Sequence, residues 1–285
     1  MARLPSSHRR GDIVRWFAFL VWLVLAVTAP WTRAVTDASD PVRWTATIWG
    51  WAGWVLVLQT MLVASPLSLT AARMLAPLVA VSSVVAGDPV AMLAAAVFLV
   101  TVFTAEFADR MVQGSAYGRE TRFCLRAPVP HMVPAVVAWL LLTGGLVGGS
   151  LLVAAGNFVA GVPLALTGIV LALRTPRRLH GLARRWLVVV PAGLVVHDHL
   201  VLAETVMVRR HEISSLVDAP RSGEEADLTG GVLGRRIVVS LAGSEKVILT
   251  DITARMLGTV GALHVQAFAM APRRVRAALA ALRGE

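Results

Sequence analysis

Residues 127–173 read APVPHMVPAVVAWLLLTGGLVGGSLLVAAGNFVAGVPLALTGIVLAL, 47 residues without a formal charge if His131 is neutral. Roughly 17 to 25 apolar residues in a helix cross the hydrocarbon core of a bilayer. The stretch is therefore too long for one crossing and right for two, at 132–155 and 158–173, with the break at Gly156-Asn157. At Arg174 the apolar run stops and five arginines follow within twelve residues.

Working back toward the N-terminus, uncharged runs of the same kind recur. Residues 14–32 form a first span behind Arg3, Arg9, Arg10 and Arg15. The competing reading of this stretch is a signal peptide, since Val27-Thr28-Ala29 resembles a small-residue cleavage site, but Pro30 directly after it disfavours cleavage. Residues 44–64 form a second span, with Trp44, Trp49, Trp51 and Trp54 toward one end, where indoles favour a membrane interface. The turn around Pro66 leads to a third span at 68–86, with Arg73 near its foot placed to snorkel to the surface. Gly87-Asp88-Pro89 is a turn, and 90–106 is the fourth span.

The sequence thus predicts a membrane protein with a helical bundle of about six transmembrane helices. The whole-chain composition agrees: 56% hydrophobic residues against 15% charged ones exceed what one soluble core can bury. With the N-terminus inside, the segments 1–15, 65–73, 106–131 and 174–185 carry fourteen arginines, and the external loops carry only Arg33 and Arg43. That asymmetry predicts a multi-pass protein of the cell (inner) membrane with N- and C-termini in the cytoplasm. The lone cysteine, Cys124, falls in one of these cytoplasmic loops and implies neither a disulfide nor a redox site.

Residues 174–185 read as a basic juxtamembrane linker, with Arg174, Arg177, Arg178, Arg184 and Arg185 as candidate contacts for anionic lipid headgroups. Beyond it, short Val/Ile/Leu-rich runs predict strands at 186–190, 194–196, 200–208, 213–217, 237–241, 246–249 and 263–268. Val275, Leu279 and Leu282 recur at helical spacing after Pro272, which predicts a terminal amphipathic helix. The tail, 186–285, is thus a small β-rich cytoplasmic domain, about seven strands and a C-terminal helix.

The run Trp186-Leu-Val-Val-Val-Pro-Ala-Gly-Leu-Val-Val-His-Asp198, the Arg-His-Glu-Ile213 strand and the terminal Pro-Arg-Arg helix resemble bacterial pleckstrin-homology-like (PH-like) domains attached to membrane spans. The resemblance covers residues 184–283. It implies a barrel or sandwich closed by a C-terminal helix, and binding or anchoring rather than catalysis. No ligand-binding residue is carried over by it.

Candidate chemistry is sparse. Gln59, Asn157 and the pair Glu106/Asp109 are polar groups in or beside spans, where an ionisable residue is a candidate ion or substrate ligand; each lies near a span end, so a solvated or snorkelling group is the alternative. Gly144, Gly145, Gly148 and Gly149 form two overlapping small-xxx-small pairs suited to close helix approach. His197 and His199 flank Asp198 and would share a strand face, a candidate metal site to which His180 or His211 could add a ligand, with a polar turn as the alternative. Gly230, Gly231, Gly234, Arg235 and Arg236 could cradle a phosphate, but they follow the acidic stretch that begins at Glu224 and lack Walker or dinucleotide spacing, so a loop between strands is the alternative.

No HExxH, GxSxG or serine–histidine–carboxylate set is present, so no enzymatic activity, cofactor or metal is expected. The net charge of +10 fits membrane topology and headgroups rather than nucleic acid. The expectation is a non-enzymatic scaffold or anchor whose partners are the lipid bilayer, anionic headgroups or a protein. The alternative is a small transporter or channel subunit with a regulatory cytoplasmic domain, in which Glu106, Asp109 or Asn157 faces a hydrated cavity.

Overall fold

The computed structural model describes residues 6–220 and 225–284, which leaves Arg3 of the N-terminal basic flank and Glu224 of the acidic stretch outside the described residues. The chain divides into two compact units: residues 1–114 with 135–180, and residues 115–134 with 181–285.

The first unit is helical: α1 (Ser6–Thr28), α2 (Pro30–Arg33), α3 (Asp40–Leu62), α4 (Pro66–Ala86), α5 (Pro89–Phe103) and α6 (Ala105–Gln113). After the excursion into the second unit come α7 (Val129–Thr143), a π-helical turn (Gly144–Gly148), α8 (Gly149–Ala154), α9 (Phe158–Ala172) and α10 (Thr175–Ala183). Proline stands at the first or second position of α2, α3, α4 and α5, where its missing N–H costs nothing. Side-chain caps mark the restarts: Ser65 accepts from the Ser68 amide at 3.0 Å, Asp88 from Val90 and Ala91, and Thr104 from Phe107. The expected turn at Gly87-Asp88-Pro89 is such a restart, with Gly87 at φ 65° and Asp88 also paired with Arg33.

Among the described residues three stretches are long and apolar enough to cross a membrane, Arg9–Arg33, Pro66–Ala86 and Val129–Ala154. Two bent pairs, α5 with α6 at 61° and α9 with α10 at 45°, raise the number to five if each pair is one span. Helix α3 has the length, at 23 residues, but its tryptophans, threonines and glycines dilute its apolar character. Large apolar side chains point outward along these helices, among them Leu20, Ile48, Leu93, Val100, Val133, Val159 and Val170. Among the internal contacts, Gly145 and Gly149 lie against α9: a Cβ on Gly145 would come within 2.5 Å of the Gly168 Cα, and one on Gly149 within 2.5 Å of the Ala165 amide nitrogen. Gly144 and Gly148 face open space, so of the two overlapping pairs only Gly145/Gly149 is used for close approach.

Among the described residues the second unit holds two four-stranded sheets. One has the order β1 (Thr121–Cys124), β2 (Arg185–Val190), β3 (Gly193–Asp198), β4 (Val206–Arg209), antiparallel throughout. The other is ordered β5 (Ile213–Ala219), β7 (Arg236–Ile248), β8 (Ala262–Met270), β6 (Ala226–Asp227), with β6 parallel to β8. Helix α11 (Asp251–Met256) links β7 to β8, and α12 (Val275–Arg283) ends the chain. The core draws on both sheets and the last helix, with Phe123, Leu187, Val196, Ile237, Val239 and Phe268 buried together with Ala278, Leu279 and Leu282.

Three expectations are corrected. The β-rich unit does not begin after residue 185: β1 comes from the loop between α6 and α7, expected only as a cytoplasmic loop, and it buries Phe123 and Leu125 in this core. The strand expected over 200–208 starts only at Val206, because Asp198 turns the chain by accepting from the Leu200 amide. The strands expected at 237–241 and 246–249 are one strand, β7, irregular between Ser240 and Glu245.

Candidate functional site

One group of charges in the helical unit lies around α6, separate from the pairs Arg33–Asp88 and Arg43–Asp40. The chain breaks at Thr104, which removes the amide that would continue the α5 hydrogen-bond ladder, and Arg73 Nε donates to the Val102 carbonyl at 3.1 Å. The Arg73 guanidinium also lies 5.2 Å from the Phe103 ring centre. Arg73 therefore serves the break in the helix instead of simply snorkelling to a surface. Glu106 sits in the first turn of α6, where the helix dipole favours an acid. Asp109 is buried on the same helix, and Arg110 pairs with Asp12 of α1.

The other two polar candidates lie apart from this cluster. Gln59 is exposed on α3. Asn157 is exposed, and its Oδ1 accepts from the Ala160 amide at 3.3 Å, so it caps α9 and starts the helix after the turn at Gly156. A cavity of about 450 Å3 opens in this unit among Trp31, Trp49, Met74, Leu78 and Leu146, and neither Gln59, Glu106, Asp109 nor Asn157 lines it.

Most of the basic segment after α9 is the helix α10, with Arg174 and Arg184 flanking it and Arg185 opening β2. Arg174, Arg177, Arg178 and Arg184 are exposed. Arg185 is not: it is 1% exposed, and its Nε and Nη2 donate to the two carboxylate oxygens of Asp198 at 2.6 and 2.5 Å. Its Nη1 donates to the Arg126 carbonyl at 2.6 Å. With every guanidinium nitrogen engaged inside the fold, Arg185 is withdrawn from the headgroup candidates.

The same ion pair decides the His197-Asp198-His199 cluster. Strand alternation turns Asp198 inward and the two imidazoles outward, so the carboxylate is spent on Arg185 and no longer shares a face with the histidines. The His197 ring stacks on Trp186 at 5.1 Å, and the Arg122 guanidinium lies over the Trp186 ring at 5.0 Å from its centre. The His197 and His199 ring centres are 6.2 Å apart. His180 bonds Thr70 instead, at 2.9 Å, and His211 neighbours Glu212. Among the described residues no three His, Cys, Asp or Glu side chains are grouped to hold a metal ion.

Both imidazoles are held below their ordinary pKa. Burial is the main cause for each; the neighbouring His199 and Arg184 add to it at His197, and at His199 the attraction of Asp198 opposes it before Arg184 and Arg185 add to it.

The glycine-rich stretch Gly230–Gly234 is a packed loop. Gly230 has φ 72° and presses on Pro128, whose Cβ would lie 2.5 Å from any Cβ placed there, and its carbonyl accepts from the Val129 amide. Arg235 and Arg236 point opposite ways. Arg235 is exposed and paired with Asp218 at 2.8 Å, whereas Arg236 is 1% exposed with Asp227 at 3.5 Å. The part of the site that sequence reasoning missed is the role of Arg126, whose Nη1 and Nη2 donate to the carbonyls of Leu233 and Arg235. The alternation of Phe123 and Leu125 just before it was the available signal for a strand.

Comparison with family models, with curated proteins and with solved structures finds no match to this chain.

Proposed function

We propose that this is a non-enzymatic integral protein of the cell membrane, in which a six-span helical bundle presents a PH-like domain at the cytoplasmic surface to bind a protein partner or anionic lipid. The observation that carries the reading is an outwardly apolar helical unit followed in the chain by a separate β-rich unit with its own core, with the exposed Arg174, Arg177, Arg178 and Arg184 on the chain segment between them. The sixth span in this reading is α3, whose indoles suit the interface. Two four-stranded sheets and a terminal helix sharing one core support the PH-like assignment.

The transporter alternative is less well supported, because the polar groups it needs do not line the cavity among Trp31, Trp49 and Leu146. Arg174, Arg177, Arg178 and Arg184 are the lipid contacts, each worth about 1 kcal/mol of attraction to an anionic leaflet.

The test is the thermal midpoint of the full chain in nanodiscs of phosphatidylcholine alone and with phosphatidylglycerol added. A ligand of the folded state raises the midpoint, so the anionic lipid is expected to stabilise the protein, and the quadruple Arg→Gln variant at 174, 177, 178 and 184 is expected to lose the gain. Equal midpoints in both lipids sink the lipid arm. Photocrosslinkers at Arg177 and Arg178 in living cells test the protein arm.

A further inference from the structure

Two stretches connect the β-rich unit to apolar helices, and both leave it at one end. Strand β1 ends at Cys124 and runs on through Pro128 into α7, and β2 starts at Arg185 directly after the segment that holds α10. Cys124 pairs with Trp186, and Arg185 with Asp198 at the end of β3, so the two exits and the turn after Asp198 lie together. The turn between β2 and β3, at Pro191-Ala192, is the length of a six-residue strand away, about 20 Å at the rise of an extended chain.

Helix α11 hangs at the end that carries the exits. The Thr250 amide donates to the Val201 carbonyl and the Thr250 hydroxyl to the Leu200 carbonyl, both at 3.0 Å. The Met256 Cε would lie 3.6 Å from a Cβ on Gly231, and the neighbouring Gly230 carbonyl accepts from the amide of Val129, the first residue of α7. Thr253 and Ala254 fix one face of α11 in the interior, whereas Ile252 and Met256, four residues apart on another face, are 48% and 49% exposed. Val260 is 97% exposed on the loop that follows, between Gly258 and Gly261, both at positive φ. That loop is held by its own hydrogen bonds, from the Thr259 amide to the Ala254 carbonyl at 2.9 Å and from the Leu249 amide to the Gly261 carbonyl at 2.8 Å. Arg255 is exposed on the same helix, and Asp251 in its first turn answers the helix dipole.

Apolar side chains left this open to water forfeit the gain of burial. Three of them are too few for a stable protein interface, which takes roughly 20 residues a side. A few apolar residues beside a cation suit the boundary between headgroups and acyl chains, and the exits toward α7 and from α10 put that boundary at this end of the unit.

We propose that Ile252, Met256 and Val260 form an apolar tip that enters the boundary between headgroups and acyl chains of the cytoplasmic leaflet, with Arg255 among the headgroups. The occupant of this surface is the bilayer itself. The tip gives the proposed function a second anchor for the β-rich unit besides Arg174, Arg177, Arg178 and Arg184, and it rests on that reading, because the bilayer lies at this end only if Val129–Ala154 crosses it.

The test places an environment-sensitive dye on Val260→Cys or on Ala192→Cys in the full chain, in phosphatidylcholine nanodiscs with or without a lipid carrying a nitroxide on its upper acyl chain. Ala192 is exposed at the far turn and Cys124 is buried, and the parent chain labelled in parallel sets the background. Emission from position 260 is expected to be blue-shifted and quenched severalfold more strongly than emission from position 192. Combining Ile252→Gln with Met256→Gln is expected to abolish that difference; both side chains are about half exposed, and an unshifted thermal midpoint in detergent verifies the fold. Quenching of the tryptophans exposed on the helices, Trp16 and Trp44 among them, reports separately on the spans. Quenched tryptophans with position 260 no more quenched than position 192 overturn the tip and leave the spans standing. Unquenched tryptophans overturn the spans and the tip with them. A blue shift at position 260 without quenching overturns the proposal in favour of a protein cover, and quenching that survives the double Gln variant overturns the part given to Ile252 and Met256.

Discussion

Trp22 and Trp54 exchange hydrogen bonds across α1 and α3: the indole N–H of Trp22 donates to the Trp54 carbonyl at 3.0 Å, and that of Trp54 to the Trp22 carbonyl at 3.1 Å. Trp22 is wholly buried and its ring lies 4.5 Å from that of Phe98 on α5. The pair therefore ties α3 to α1 and, through Trp22, to α5 inside the helical unit.

Removing one donor by Trp54→Phe keeps most of the ring and loses one of the two bonds. Interhelical hydrogen bonds of this kind contribute about 0.6 to 2 kcal/mol in a membrane environment, and a destabilisation in that range is expected. A double-mutant cycle with Trp22→Phe, followed by the thermal midpoint in detergent, is expected to give a coupling well above zero. Additive effects would mean that the exchange is incidental.

Arg185 and Asp198 are 1% and 0% exposed at their side chains. Cutting such a pair on one side leaves a buried charge and costs about 3 to 5 kcal/mol. Asp198→Ala is thus expected to open the β-rich unit to proteolysis, and Arg185→Met to do the same. The double variant Arg185→Met with Asp198→Leu is expected to recover much of the loss, because it removes both charges together. Protease resistance of the double variant no better than that of either single one would refute this account.

Gly145 and Gly144 are neighbours with opposite expected responses. A methyl on Gly145 meets the Gly168 backbone, so Gly145→Ala is expected to destabilise by about 1 to 3 kcal/mol through overpacking. The side chain added by Gly144→Ala enters open space and removes a flexible residue, so a change between zero and about 1 kcal/mol of stabilisation is expected. Unfolding of the two variants side by side in the same detergent measures the contrast.

His197, facing Trp186, Thr205, His199, Arg184 and Arg122, has a folded-state pKa below its unfolded value. As pH falls, the unfolded chain takes up the proton first, so the neutral ring's contribution is complete above the ordinary imidazole pKa of about 6.5 and is lost below it. The midpoint of the β-rich unit is expected to drop between about pH 7 and pH 5, and His197→Gln is expected to flatten that drop. An unaltered pH profile in His197→Gln would locate the titrating group elsewhere, His199 being the next candidate.

Much of the organisation was legible locally. The restarts at Pro66, Pro89 and Asn157 and the helix at 275–283 follow from caps, prolines and periodicity, which act within a turn or two of chain. What escaped was non-local. Strand β1 is four residues long, and its pairing Phe123↔Leu187 joins positions 64 residues apart, so no window of sequence contains both partners. Arg185 looked like its neighbours Arg177, Arg178 and Arg184, because a run of arginines does not record which one a strand will turn inward.

By itself the amino-acid sequence determined that the chain carries long apolar helices followed by a β-rich tail, since both properties follow from the order of polar and apolar residues along a few turns. Only the tertiary structure decided that β1 joins the tail, that Asp198 belongs to Arg185 and not to the histidines, and that α11 lies at the end of the β-rich unit from which α7 departs. Each of these depends on which distant backbone segments pair and which way a side chain then faces, and that is settled by the packing of the whole core.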